Sequence, residues 1–378
     1  MTERKTIIRN GPIFDGDRLL HGHAIVFREG RAGQLLPEGE LTEKGDTIDL
    51  KGDILSPGYV DLQVNGGDGI MFNDDPSVET IRRIASAHRR LGVASLLPTL
   101  ITDSADKTWA AIDAAIQAVR KQVPGVAGLH LEGPHLSVVR KGAHDADLIR
   151  PMEEADLNAL ISASDALPCL KVTVAPESVS EQQVRTMSEA GVLVSLGHTD
   201  ADFATCQRYV AAGARCVTHL FNAMSQLGNR EPGLVGAALA NGGLSAGLIA
   251  DGIHVHPAAM RTAWAGKSTP GRIFLVSDAM AVAGTDQSEF DLEGRRITRT
   301  DGRLTLADGT LAGADLDLTT AVGVLVDKVG VPLQDALTAA ISYPAQLIGL
   351  ARSAALEYGS MIRISAGFDK CDWLPDRG

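Results

Sequence analysis

From Tyr59 onward the chain alternates short apolar runs with stretches in which apolar residues return every three or four positions. The apolar runs are Tyr59 to Val64, Val93 to Leu97, Val126 to Leu131, Leu170 to Ala175, Val192 to Leu196, Cys216 to Leu220, Ser245 to Ala250 and Ile273 to Ser277. Between them, Trp109, Ile112, Ile116 and Val119 follow Asp103 at helical spacing, and Ser180 to Ala190 carries the same period. Eight such strand–helix units predict an α/β fold, a (β/α)8 TIM barrel, because parallel strands need long crossovers and a sheet covered on both faces. An open doubly wound sheet is the competing architecture, and no GxGxxG follows the first strand to support it.

Upstream, through Pro57, the pattern differs: Ile7-Ile8, Ala24 to Phe27 and Thr47 to Leu50 are brief β-prone runs between glycine-rich turns. Such a unit is too small to hold a deep core alone. After the eighth strand, a polar stretch from Gln287 to Gly313 contains Asp301-Gly302 and Asp308-Gly309, both hairpin signals. Helical periodicity resumes from Asp315 to Leu350, and Ile362 to Ile364 is expected to pair with the N-terminal β unit.

At 44% hydrophobic and 22% charged residues, with no internal repeat, the chain is neither disordered, collagen-like nor a coiled coil. Its 378 residues suit a barrel of about 250 residues plus something smaller. The 35 basic and 47 acidic residues leave a net charge of −12, which speaks against a nucleic-acid partner but not against an anionic small molecule held by a local Arg or His. Cys169, Cys206, Cys216 and Cys371 stand far apart with no CxxC, so reduced, buried thiols are expected. Met1 to Asn10 lacks an apolar signal core and no run of 18 apolar residues occurs, so a cytoplasmic protein with no membrane partner is expected.

Candidate chemistry gathers where barrel strands end, the rim that carries function in this fold. Glu132 follows the third strand, His198 the fifth by one glycine, and His219 lies near the end of the sixth. One carboxylate and two imidazoles make a ligand set for a divalent metal with a position left open for water. The competing reading is structural, with Glu132 paired to a cation and each histidine satisfying a backbone group. Asp278, after the eighth strand, could exchange a proton with that water or could simply cap the next helix. His254, in Asp251-Gly-Ile-His, could donate to a substrate carbonyl, and His256 before Pro257 suits a turn cap. His144 and Arg230 are loop residues that could hold a hydroxylated or anionic substrate, or be solvated. His130 shares a strand face with Glu132 and is a candidate partner behind the ligands.

Several blocks in order along the chain are similar to the N-acetylglucosamine-6-phosphate deacetylases, a family within the amidohydrolase superfamily. They include Pro57-Gly-Tyr-Val-Asp-Leu-Gln-Val-Asn-Gly, Leu129-His-Leu-Glu-Gly-Pro, Lys141-Gly-Ala-His, Gly197-His-Thr, Thr218-His-Leu-Phe-Asn-Ala-Met, Asp251-Gly-Ile-His, Ser277-Asp-Ala-Met and Leu311-Ala-Gly. The resemblance implies a barrel over 58–350 and a small β-sandwich built from both chain ends, 1–57 and 351–378. It implies a homodimer that removes acetate from N-acetylglucosamine 6-phosphate, with N-acetylgalactosamine 6-phosphate as an alternative substrate. It assigns Glu132, His198 and His219 as metal ligands, Asp278 as acid/base, and His254 as the carbonyl-polarising group. His144 becomes a sugar contact, and Asn222, Ala223 and Arg230 surround the sugar phosphate, Arg230 reaching the partner's site. Gln63-Val64-Asn65 stands where many amidohydrolases have His-x-His. Neutral amides are poor ligands, so one divalent ion per subunit is expected, Zn²⁺ first, with Fe²⁺, Co²⁺ and Mn²⁺ able to share the set. The same amides argue against a cyclic-amide hydrolase, and the retained Asp278 against a sugar-phosphate sensor without turnover. Two departures are His135, where the family commonly has an aromatic residue on the expected pocket floor, and the closing Ala366-Gly-Phe-Asp-Lys-Cys-Asp-Trp.

Overall fold

Eight parallel strands lie side by side in the order of the chain: Tyr59–Val64, Val93–Ile101, Leu129–Glu132, Leu170–Val174, Leu193–Leu196, Cys216–Val217, Ser245–Leu248 and Ile273–Leu275. In this computed structural model, residues 5–28, 32–42, 44–350 and 356–375 are described. The eight strands make the barrel the pattern predicts. Its edge strands meet without a regular ladder. The Asp278 N–H donates to the Gln63 carbonyl at 3.1 Å and the Asn65 N–H to the Ala279 carbonyl at 2.9 Å. The Ser277 N–H donates to the Asp61 carboxylate at 3.2 Å. Burial raises the Asp61 carboxyl to about 6, against the pull of the Ser277 and Gln63 donors.

Strand ends depart from the expected ones in an instructive way. The second strand runs on through Pro98 to Ile101, and Val126 makes only an isolated bridge, so the third strand begins at Leu129 and finishes on Glu132 itself. The sixth is cut to Cys216–Val217 because the backbone turns left-handed at His219, leaving that residue in a loop. The helix Ala105–Arg120 starts on Ser104, whose hydroxyl accepts the Lys107 N–H. Its buried face is Ala111, Ala114, Ala115 and Ala118, with Ile112, Ile116 and Val119 at the margins and Trp109 48% exposed. Small residues let this helix lie close on the barrel, so the large residues that signal its period sit beside the contact. Glu181–Glu189 opens on a Ser180–Gln183 capping box, as the Ser180 to Ala190 periodicity predicts.

Two further sheets come from the chain ends. Gln34–Pro37, His23–Arg28, Lys5–Arg9 and Asp46–Asp49 form one; Cys371–Trp373, Met361–Ile364, Ile54–Pro57, Ile13–Phe14 and Leu19–Leu20 form the other. Ile8, Ile25 and Phe27 of the first pack on Ile13, Leu55 and Met361 of the second. Met361–Ile364 pairs antiparallel with Ile54–Pro57, Ile362 beside Ser56, so the atypical C-terminal segment does supply strands. The beginning of that segment, 351–355, lies outside the described residues.

The polar stretch after the eighth strand folds as a four-stranded antiparallel sheet, Glu289–Leu292, Arg295–Thr300, Arg303–Thr305 and Leu311–Ala314. Asp301-Gly302 turns one hairpin with φ of 49° and 73°; Glu293-Gly294, which was not expected, turns another with 54° and 77°. Leu292, Ile297, Leu304 and Ala312 pack on Ile101, Met280 and Val282, placing this sheet against the barrel mouth. All four cysteines are free thiols, three of them buried. Among the described residues no helix is long and apolar enough to cross a membrane.

Candidate metal centre and active site

A cavity of about 270 Å³ opens at the C-terminal ends of the strands. Glu132, His144, His198, His219, Asn222, Ala223, His254 and Asp278, all expected from sequence to form the site, line it; Arg230, also expected there, does not.

Glu132, His198 and His219 meet at the base. His198 Nε2 is 3.3 Å and His219 Nε2 is 3.0 Å from Glu132 Oε1, and the two Nε2 atoms are 3.0 Å apart. The His198 Nδ1–H donates to the Arg140 carbonyl at 2.9 Å, so the neutral ring aims an Nε2 lone pair at the cluster. Three basic atoms converging in a buried place fit a divalent cation: tetrahedral bonds of about 2.0–2.1 Å hold ligand atoms about 3.3 Å apart, close to the separations seen. Burial works to raise the Glu132 carboxyl, but the adjoining imidazoles of His198 and His219 overcome it and hold it well below the ordinary range. His198, His219 and Asp278 have φ of 47°, 29° and 52°. Left-handed backbone at non-glycine residues costs about 1–3 kcal/mol each, and here it turns three side chains from strand ends toward one point.

Asp278 stands beside this cluster without joining it. Its Oδ1 accepts from Asn65 Nδ2 at 2.8 Å and from Gln63 Nε2 at 3.0 Å, and the same Gln63 amide reaches both Glu132 oxygens at 3.1 and 3.2 Å. The two amides at the end of the first strand are therefore turned as donors between carboxylates that would otherwise repel. Burial raises the Asp278 carboxyl, the negative Glu132 adds to this, and His219 opposes it. A carboxyl lifted in this way holds a proton more readily than an ordinary aspartate does.

On the other walls, His254 Nδ1 bonds Asp251 Oδ2 at 2.6 Å. His144 accepts the Thr102 N–H on Nδ1 at 3.3 Å and is kept neutral by burial, which lowers it to about 3, so its Nε2–H is free to donate. His256 caps Pro257–Gly266 by accepting the Ala258 N–H, as its place before Pro257 suggests. His130 bonds Thr99 and Thr173 inside the barrel and touches no ligand directly, because Thr173 and Thr218 lie between it and the sixth strand's end. The expected change in pocket floor at His135 does not occur: its ring turns outward to the Arg150 carbonyl at 3.0 Å and lies outside the cavity.

Sequence reasoning missed the wall supplied by the antiparallel sheet, Leu292, Thr310 and Leu311, and did not single out Asn65 as a lining residue. Gly313 lies in that wall with φ of 62°, and a Cβ there would meet Met280 Cγ at 2.4 Å and the Asp278 carbonyl at 2.9 Å. Gly313→Ala is accordingly expected to lower both the unfolding midpoint and kcat, the left-handed φ alone costing about 1–2 kcal/mol, as thermal melts and initial rates would show. The Ala314 N–H is bonded to the Asp278 carbonyl at 2.9 Å, so displacement here reaches Asp278.

A parallel barrel with a buried Glu–His–His cluster that fits a divalent metal ion, and a separate carboxylate at its mouth, is the arrangement of a metal-dependent barrel hydrolase. The chain belongs to the amidohydrolase family, which residues 54–361 match. It is similar to the N-acetylgalactosamine-6-phosphate deacetylase of Shewanella sp. (strain ANA-3), 41% identical over 294 residues, 78% of this chain and 74% of that protein. The N-acetylglucosamine-6-phosphate deacetylase of Haemophilus influenzae is 32% identical over 350 residues, 92% of this chain and 90% of that one. The crystal structure of the N-acetylglucosamine-6-phosphate deacetylase from Pasteurella multocida aligns with a TM-score of 0.88 at 32% identity, covering 97% of each chain.

Proposed function

We propose that the protein hydrolyses the acetamide of N-acetylglucosamine 6-phosphate, releasing acetate and glucosamine 6-phosphate. The observation that carries this reading is the pairing of a metal-ligand cluster with Asp278, a carboxylate held apart from it by Gln63 and Asn65. Glu132, His198 and His219 would hold a single divalent ion, Zn²⁺ in the first instance, which would supply Lewis acidity and make water easier to deprotonate near neutral pH. Asp278 takes the proton of the attacking water as it adds to the acetamide carbon. His254 donates to the carbonyl oxygen as charge develops there. Asp278 then passes its proton to the sugar nitrogen, and the C–N bond breaks. His144 offers Nε2–H to a sugar hydroxyl, and Asn222 and Ala223 border the phosphate end.

The substrate's phosphate needs positive charge, yet among the described residues no Lys or Arg lines the cavity. Arg230 is exposed on the loop after the sixth strand, outside the cavity of its own chain. It is available to a second copy, so a homodimer in which each Arg230 completes the partner's site accounts for both facts. N-acetylgalactosamine 6-phosphate is the second reading, favoured by the 41% identity to a deacetylase of that name. The two sugars differ only in the orientation of one hydroxyl. Acetate release from both, phosphorylated and not, decides between them: the reading expects the 6-phosphates to be preferred and the glucosamine form to have the higher kcat/KM. Arg230→Ala is expected to raise KM for the phosphorylated sugar about 10- to 100-fold, the worth of a charged hydrogen bond, with little change for the unphosphorylated one.

A further inference from the structure

A second cavity lies at the other end of the barrel, and cations line it. This crevice of about 220 Å³ sits where the chain enters the eighth strand. Trp264 comes from the helix Pro257–Gly266, Lys267 and Arg272 from the segment after it, and Asp335 and Tyr343 from the helices Leu333–Ala340 and Ser342–Leu347. Asp278 follows the same strand at its opposite end, so the two cavities occupy opposite faces of the barrel.

Lys267 Nζ donates to the Asn241 and Ser268 carbonyls at 3.1 and 2.8 Å, which leaves one of its protons over. The Arg272 guanidinium stands 5.5 Å from the centre of the Tyr343 ring, and among the described residues its one bond is to the Gly271 carbonyl at 3.4 Å, so most of its fork is unused. Asp335 lines the same crevice, yet no bond joins it to either cation. In a chain with 47 acidic and 35 basic residues, two adjoining cations without a bonded carboxylate stand out. Burial first, and the charge of Arg272 next, bring the Lys267 ammonium down to about 8, so the two like charges are held together at a cost that an anion between them would offset.

We propose that this crevice is a second binding site, for a phosphorylated sugar, on the barrel face away from the reaction: Lys267 and Arg272 take the phosphate, Trp264 packs on the sugar ring, and Asp335 accepts from its hydroxyls. An unused guanidinium fork beside an ammonium matches the several oxygens of a phosphate. A bare inorganic anion would leave Trp264 and Asp335 without a part. At about 220 Å³ the space is of the same order as the reaction cavity of about 270 Å³. Binding here is independent of what the opposite cavity hydrolyses.

Tryptophan indole N–H signals test this, because the chain has only Trp109, Trp264 and Trp373, and Trp264→Phe assigns the one in the crevice. Titration of the metal-loaded protein with glucose 6-phosphate at constant ionic strength is expected to move the Trp264 signal saturably. Inorganic phosphate is expected to bind about 10-fold more weakly, lacking the ring contact and the Asp335 bond. Lys267→Gln and Arg272→Gln are each expected to weaken the sugar phosphate about 10- to 100-fold, the worth of a charged hydrogen bond, with unfolding midpoints near wild type. Arg230→Ala, altered at the far face, is expected to leave the Trp264 titration unchanged. A wild-type Trp264 signal that stays still, or that moves equally with chloride, overturns the site, and this arm decides even where a variant fails to fold. A shift that persists at wild-type concentrations in folded Lys267→Gln and Arg272→Gln also overturns it, and equal affinity for phosphate and sugar phosphate overturns the sugar assignment.

Discussion

Asp278→Asn is expected to cut kcat for acetate release by about 10²- to 10⁴-fold while substrate binding stays within a few-fold of wild type. The substitution is nearly isosteric, and its carbonyl oxygen can still accept from Gln63 Nε2 and Asn65 Nδ2. What it removes is the capacity to hold a proton, and the proposed reaction uses that capacity twice, first from water and then to the leaving nitrogen. The loss therefore belongs at the upper end of the range. Initial rates give kcat, and calorimetric titration with the sugar phosphate gives binding. An unchanged rate would defeat the assignment of Asp278 as the proton carrier.

Loss of the cation is the second large effect. Chelation is expected to bring acetate release to background, with recovery on adding Zn²⁺, and elemental analysis to find about one ion per chain before treatment. His219→Ala removes one of three converging donor atoms, and Glu132→Gln replaces the one anionic donor with a neutral amide. Their affinity for the ion should fall by more than the roughly 10- to 100-fold that removal of an outer partner costs. Full activity in an exhaustively chelated, metal-free protein would sink the mechanism. By contrast, Asp278→Asn should keep its ion, since Asp278 is bonded to amides and not to the cluster.

Much of this was legible in the chain because both the barrel and its chemistry obey local rules. Each apolar run bounded by polar residues marks a strand, and a polar residue at or just past the end of such a run marks the rim; Glu132, His198, His219 and Asp278 were all found that way and converge in space. Conformation at those positions was not legible, since nothing local announces a left-handed histidine or aspartate; tertiary bonds such as Asp278 N–H to the Gln63 carbonyl hold the strained backbone. Nor could sequence assign Gln63 and Asn65 as donors linking two carboxylates, because that depends on the first and eighth strands meeting. The antiparallel sheet read as a polar insert because only alternate residues are apolar and its first hairpin turns on Glu293-Gly294, an uncommon pair. Asp251 was visible three residues before His254, and that spacing in a tight turn is the signal that it orients the ring.

The meeting of the first and last strands has a consequence for biosynthesis. Glu132, His198 and His219 all emerge from the ribosome well before Asp278, and the Gly313 wall later still. On the proposed roles, a growing chain holds all three ligands while it still lacks the proton carrier, and hydrolytic competence is expected only when the ring joins. Prematurely terminated polypeptides ending before that joint should sequester metal and consume no sugar.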